Sequence, residues 1–451
     1  MIERKFATYL HSFLKEKSDK IMLLNGARQI GKSFIVRYVG GQLFSHFVEI
    51  DLRADKEGEQ IFANVRSVED FYFQLAVKYG DNLGDWSNTL VFLDEIQVYP
   101  HLLTMLKFLN QDKRYRYIAS GSQLGIALAK STSVPLGSIE IQQMYPVDFE
   151  EFLWTMGVGK EAIDTMKQFF VNRQSLSQEM HDYIMKLFRY YLLVGGLPDA
   201  VNKFVETRNM VLVRAIQRDV HELYGIDASQ YDAENSLKIR RIYDLVPSNL
   251  ENKKKRVVVK QIENKKGKQF SDYADEFEYL IHSGISLGVS AISNPRFPLI
   301  ESSVKDLLKL YLNDVGILTN VLYGLNVNAI INDERSINLG TVYESVVAQE
   351  LKAHGFNKLY YYDNKQRGEV DFLIDDYNRL SVIPIEVKSG KDYTIHSALS
   401  HFVSNEEYNI CEGVVFSNNR EISRKGKIVY LPIYYVMFVD NQQDISALIL
   451  D

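Results

Sequence analysis

The run KIMLLNGARQIGKSF at residues 20–34 constrains this chain more than any other stretch. Residues 20–25 form a short apolar strand, and SFIVRYVG from Ser33 onward continues as a helix. Between them Gly26, Gly31, Lys32 and Ser33 satisfy G-x-x-x-x-G-K-[ST], in the strand–loop–helix setting that this motif requires. The glycines let the amides of Gly26, Ala27, Arg28, Gln29, Ile30, Gly31, Lys32, Ser33 and Phe34 turn around phosphate oxygens. The helix N-terminus adds partial positive charge. Lys32 is then placed to reach the β- and γ-phosphates of ATP, and the Ser33 hydroxyl to ligate Mg2+. The alternative is a glycine turn that merely carries a lysine.

A second element answers the first. In NTLVFLDEIQ, Leu90 to Leu93 read as a buried strand with Asp94 and Glu95 at its C-terminal end, where doubly wound parallel sheets bind ligands. Asp94 is expected to hold the magnesium shell and Glu95 to orient the attacking water. Alone, the two carboxylates could be a solvated strand end. The strand in YRYIASGSQ ends in Ser120 and Ser122, which either sense the γ-phosphate or form a plain serine turn.

The rest of the composition sets limits. A chain of 451 residues suggests roughly two to four domains. A net charge of -6 supplies no general attraction to nucleic acid or anionic membrane, so any such contact needs a local patch. The single cysteine, Cys411, excludes an internal disulfide framework and a cysteine-based zinc site. In MIERKFATYLHSFLKEK, Ile2, Phe6, Leu10 and Phe13 recur at helical spacing, which reads as an amphipathic helix packed on the domain behind it rather than a signal peptide. No apolar run reaches the ~18 residues of a membrane span. A cytoplasmic protein with no membrane contact is the expectation.

GARQIGKS, FLDEIQ, ASGS and YPVDFEEFL (residues 145–153) together resemble the prokaryotic AAA-type ATPases that carry a C-terminal domain of uncharacterised function. Further landmarks follow in the same order: GGLPDAV at 195–201, KLYLNDVGIL at 309–318, then GEVDFLI and IEVKSG. The resemblance covers nearly the whole chain. It implies an α/β multidomain protein: an AAA-type P-loop core (1–153), a helical domain (154–233), a winged-helix-like domain (234–300) and a PD-(D/E)xK nuclease-like α/β domain (301–451). Ring-forming AAA proteins usually place an arginine finger after the sensor strand. Here no arginine occurs between Arg116 and Arg173, and Ser138 stands where the family often has a basic residue. A finger of the usual ring kind is not expected, and the oligomeric state stays open. Arg218 reads either as a sensor-like residue or as a surface ion-pair partner.

Residues 151–226 have helical periodicity, broken at GGLP by an elbow that could also face the nucleotide. From 234 to 300, helix, helix and the β-like run SLGVSAIS follow one another, with the basic stretch NKKKRVVVKQIENKKGK between them. That stretch is either a DNA-backbone contact or a solvated loop, and a winged helix can equally dock a protein.

The final hundred or so residues carry another constellation. A helix with Glu344 precedes the strands LYYYDN, GEVDFLIDD and SVIPIEVKSG, a helix around HSALSHFV and the strand GVVFS. Alternation along PIEVKSG puts Glu386 and Lys388 on one face, beside Asp371 of the neighbouring strand. Asp371 and Glu386, with Glu344 as a third ligand, suit Mg2+, a hard cation preferring oxygen. Lys388 would then orient or deprotonate water for phosphodiester hydrolysis. The alternatives are a surface E-x-K salt bridge, or a nuclease fold kept only as a docking scaffold.

Overall fold

The computed structural model describes residues 2–16, 19–122, 124, 137–230, 236–263, 265, 267–301, 304–332, 337–390 and 393–441. It divides into one unit of residues 1–145 with 281–285 and a second of 146–280 with 286–451.

The first unit is built on β1 (Ile21–Asn25), β2 (His46–Asp51), β3 (Thr89–Asp94), β4 (Arg116–Gly121) and β5 (Ile139–Gln143). They form a wholly parallel sheet in the order β2-β3-β4-β1-β5. Every residue of β1 and β3 is buried, as a parallel sheet covered by helices demands. The helices are α1 (Lys5–Lys15), α2 (Lys32–Leu43), α3 (Leu52–Glu57), α4 (Val68–Tyr79) and α5 (Pro100–Asp112). The amphipathic N-terminal helix is present, but its buried stripe centres on Leu10 and Leu14, with Phe6 and Phe13 half-buried. Arg4, just ahead of it, donates to Ile30 O at 3.2 Å and Tyr145 O at 2.7 Å, tying the start of α1 to the loop between β1 and α2.

The second unit opens with α6 (Phe149–Thr155), α7 (Lys160–Val171), α8 (Gln178–Val194), α9 (Pro198–Thr207), α10 (Met210–Gln230), α11 (Ser236–Glu251) and the single turn α12 (Val259–Ile262); α13 (Ala274–His282) starts within it. The YPVDFEEFL motif is a helix start: Asp148 accepts from Glu151 N at 2.9 Å, and the Glu151 carboxylate accepts from Asp148 N at 3.2 Å. After these helices come β6 (Ser286–Ile292), β7 (Val304–Leu312), α14 (Val315–Tyr323), α15 (Asn328–Ile331), α16 (Leu339–Ala353), β8 (Leu359–Asn364), β9 (Gly368–Asp376), β10 (Ser381–Val387), α17 (Ser397–Ser404), β11 (Gly413–Ser417), β12 (Ser423–Lys425) and β13 (Ile428–Pro432).

The strands make one mixed sheet in the order β12-β13-β11-β10-β9-β8-β6-β7. The run SLGVSAIS is thus not a free-standing wing. As β6 it pairs antiparallel with β7 and parallel with β8. The expected boundary at 300/301 falls between two paired strands, because their ladder lies in the same sheet as β8–β13. From α16 to β11 the elements run α-β-β-β-α-β, as read from the sequence. The α17 side of the sheet is filled by Tyr362, Val370, Val382, Leu399, Phe402 and Val415.

The GGLP turn is an internal clasp. Gly195 has φ +69, and a Cβ there would lie 2.2 Å from Asp314 Oδ1. Asp314, fully buried ahead of α14, accepts from Gly196 N at 2.5 Å and Ile317 N at 2.9 Å. Two sequence landmarks a hundred residues apart are therefore one packing unit.

Burial pushes the Asp314 carboxyl up to about 6, against backbone donors that lower it. The folded chain thus favours the protonated acid. Its stabilising contribution is full below the unfolded value near 3.8 and is lost as pH climbs through about 6. Chemical denaturation of the full chain and of Asp314→Asn across pH 4–7 should differ in slope over this window, the native chain losing about 3 kcal/mol more than the variant. Parallel profiles would show that Asp314 does not titrate there.

Candidate functional site

The sheet order of the first unit sets the site at its C-terminal edge. β1 delivers the 26–31 loop, while β3 and β4 lie side by side and carry Asp94 and Ser120 at adjoining positions. Gly31 stands at φ +94 and starts α2, a backbone state that residues with a β-carbon avoid. A Cβ on Gly26 would lie 2.6 Å from Met144 O, so the loop leaves the sheet through a space only glycine fits.

Lys32 is buried and donates to the carbonyls of Gly26 at 2.9 Å and Ala27 at 2.8 Å, folding its ammonium back into the loop. Asp94 is held by donors from three elements. Ser33 Oγ donates to Oδ2 at 2.5 Å, Ser120 Oγ donates to Oδ1, and Glu95 N donates to Oδ1 at 3.1 Å. The Ser120 hydroxyl is therefore engaged with Asp94, whereas Ser122 Oγ is buried with no hydrogen-bond partner among the described residues. A hydroxyl and a carboxylate brought together in this way fit a hard cation such as Mg2+.

Glu95 leaves the strand in a left-handed conformation, φ +55, and its Oε2 accepts from Gln97 Nε2 at 2.7 Å and stands 4.0 Å from Arg28. Gln97 lies two residues past Glu95, and nothing in the sequence pattern marks it for a role. Gly121 makes room for it, since a Cβ there would lie 2.2 Å from Gln97 Oε1. The side chains of Phe34 and Tyr38 stack in parallel on the exposed face of α2. Residues 125–136, where a ring-type arginine finger would be sought, lie outside the described residues. Arg218 makes an exposed ion pair with its neighbour Asp219 at 3.4 Å.

The second unit has its own polar centre. α16 packs on the sheet and turns Glu344 toward it, while Glu369 and Asp371 share one face of β9 by alternation. Asp371 Oδ2 accepts from Val387 N at 2.8 Å, and Lys388 pairs with Glu386 at 2.7 Å. The other Glu386 oxygen, Oε2, is buried with no hydrogen-bond partner among the described residues. Burial first, and then the nearby Glu344 and Glu386 charges, push the Asp371 carboxyl well above the usual carboxylate range, against Lys309 and Lys255. Burial also raises Glu386, though Lys388 opposes it. The four residues singled out from the sequence thus occupy one neighbourhood.

Three further residues belong to it. Lys309 on β7 is fully buried, 2.6 Å from Glu369 and 3.9 Å from Glu344, with the Tyr361 ring 4.6 Å from its ammonium. Burial alone would depress that ammonium; Tyr311, Glu344, Glu369 and Asp371 together hold it well above the ordinary lysine value. Tyr311 donates to Glu344 Oε2 at 3.3 Å, and Lys255 donates to Oε1. Among the described residues no group of three or more His, Cys, Asp or Glu stands as a ready metal cage. The donor chemistry still fits a hard cation: oxygen ligands, mutual carboxylate repulsion and an orphaned Glu386 oxygen. No helix among the described residues is long and apolar enough to cross a membrane.

Comparison with known proteins agrees with the geometry of the first unit. Residues 18–153 match the family described as an AAA domain. Residues 185–328 and 339–436 match two families described as domains of unknown function, DUF8612 and DUF4143. Similar solved structures include a Walker-type ATPase of Pyrococcus abyssi, at 14% identity and TM-score 0.42, over 71% of this chain and 95% of that one. The Thermotoga maritima RuvB Holliday junction branch migration motor matches at 15% identity and TM-score 0.31, over 67% and 92%. The Aeropyrum pernix ORC1 protein in complex with DNA matches at 15% identity and TM-score 0.30, over 73% and 91%. None of the curated proteins matches the chain. Residues 18–153 of the N-terminal unit are an AAA-type P-loop domain, and the chain is an ATPase.

Gln97 donates to the Glu95 carboxylate, so Gln97→Ala should lower ATP turnover about 10- to 100-fold while leaving the KM for ATP nearly unchanged. A steady-state assay checks this; a raised KM with full turnover would assign Gln97 to nucleotide binding instead.

Proposed function

We propose that this ATPase couples its nucleotide cycle to a C-terminal centre that cleaves nucleic acid with Mg2+. In the first unit the amides of 26–34 and the Lys32 ammonium bind the β- and γ-phosphates, and Ser33 and Asp94 hold the metal. Glu95, steadied by Gln97, takes the attacking water and receives its proton. Mg2+ supplies charge neutralisation at the phosphates when bound.

The observation that carries the C-terminal reading is the proximity of Glu344, Asp371 and Glu386 to Lys388 within an α-β-β-β-α-β run, which we read as the PD-(D/E)xK kind. Lys388 reaches Glu386 and the end of β10, where it can orient water or steady developing negative charge on a phosphodiester. The basic run beside this centre gives a polyanion its local attraction, which the net charge of -6 does not. A winged-helix reading of residues 234–300 is part of this proposal, as a contact for DNA or for a partner protein.

A second reading is a nucleotide switch whose nuclease-like domain only docks a partner. It is favoured by the lysines that already pair with Glu344 and Glu386 and by the lack of a ready three-ligand cage among the described residues.

Glu95→Gln should keep ATP binding and lose turnover by at least about 100-fold, measured by phosphate release. With linear or branched DNA and Mg2+, Asp371→Ala should lose cleavage while its ATP turnover stays at the native rate. Absence of cleavage by the native chain with any nucleotide or divalent metal would leave the switch reading.

A further inference from the structure

The carboxylate centre contains a cation that comes from outside its sheet. Lys255 lies in the segment that follows α11, and its Nζ donates to Glu344 Oε1. Its backbone stands at φ +48, a left-handed state unfavourable for a lysine, and its amide is bound to Asn252 O at 3.0 Å. The next two residues pin the segment to the sheet: Arg256 pairs with Asp363 of β8 at 3.2 Å, and Val257 N donates to Leu308 O of β7 at 3.0 Å. Lys253 and Lys254, immediately before, are exposed.

We infer that Lys255 holds Glu344 in the place of a divalent cation, so that cation binding at this centre requires the Lys255 ammonium to leave. The inference rests on the reading of the centre as a magnesium site. Glu344 Oε1 cannot serve an ammonium and a divalent ion at once without placing like charges in contact. The other lysines are committed: Lys309 is enclosed between Glu369 and Glu344, and Lys388 is on Glu386. Lys255 retains 16% exposure of its side chain and a flexible stem, and thus has a route to solvent that fully buried Lys309 lacks.

The displaced ammonium emerges beside Lys253 and Lys254, where a phosphate backbone would meet it. A polyanion that draws Lys255 away frees Glu344 for the cation, and by reciprocity the cation releases Lys255 to the polyanion. Cation loading is thereby tied to the presence of the chain to be cut.

The test is direct Mn2+ binding, read by the EPR signal of free Mn2+, on the full chain without nucleotide or DNA. Lys255→Met should bind Mn2+ about tenfold tighter than the native chain, and Lys255→Arg, which keeps the charge, should not. Asp371→Ala, alone and combined with Lys255→Met, gives the background of ions held elsewhere, and the gain should vanish in the double variant. Binding detected only in Lys255→Met would also support the inference. If the native chain binds Mn2+ through Asp371 and Lys255→Met binds it equally or more weakly, the inference falls and the magnesium reading stands. If no Asp371-dependent binding occurs in either chain, both fall.

Discussion

A carboxylate taken out of water must be given a donor or a cation, and this requirement shapes both units of the chain. Asp94 would be a costly charge at the end of a buried strand without Ser33, Ser120 and the Glu95 amide. Asp314 is tolerable under the GGLP turn because backbone amides point at it. In each case at least one donor comes from an element distant in sequence, Ser33 and Ser120 for Asp94 and Gly196 for Asp314, so meeting the electrostatic demand also fixes packing.

The two polar centres meet the demand differently. Asp94 is surrounded by two hydroxyls and an amide, donors that carry no net charge. The C-terminal carboxylates are instead paired with ammonium groups, Lys388 on Glu386, Lys309 on Glu369, and Lys255 on Glu344. Neutral donors keep a site open to cations, whereas ammonium groups compete with them. One chain thus contains a carboxylate held by neutral donors and a second centre in which Glu344, Glu369 and Glu386 face ammonium groups while Asp371 is held by a backbone amide.

Much of this was legible in the sequence because its signals are local. The G-x-x-x-x-G-K-S loop, the apolar strand ending in Asp94 and Glu95, and the alternation of Glu386 and Lys388 each lie within a dozen residues. Pairing between distant strands is not encoded that way. The period of SLGVSAIS shows a strand but not that β7 and β8 are its neighbours, so nothing local to the sequence reveals that the sheet continues across 300/301. Lys309 sits in an apolar strand pattern where its charge has no visible partner, because Glu369 is sixty residues away. Lys255 is one lysine of a charge run, and nothing local distinguishes the inward-facing one from its exposed neighbours. Gln97 carries no periodic signal at all.

The ligand set proposed for the C-terminal centre is split between two kinds of support. Asp371 and Glu386 belong to antiparallel β9 and β10, whose ladder brings Phe372 opposite Ile385 and fixes their separation. Glu344 belongs to α16, and its position depends on what holds that helix. About one and a half turns further along, Gln349 accepts from Val315 N at 2.9 Å and donates to Tyr191 at 2.8 Å. Glu350 accepts from Phe149 N at 3.0 Å and from the Tyr191 hydroxyl at 3.1 Å. One end of α16 is therefore fastened to the start of α6, to α8 and to the start of α14 beside the GGLP clasp, while the other presents Glu344 to the sheet. Because a helix this well packed shifts as a body rather than bending, the distance from Glu344 to Asp371 and Glu386 depends on the helical layer as well as on Tyr311 and Lys309 of β7, which hold Glu344 from the sheet.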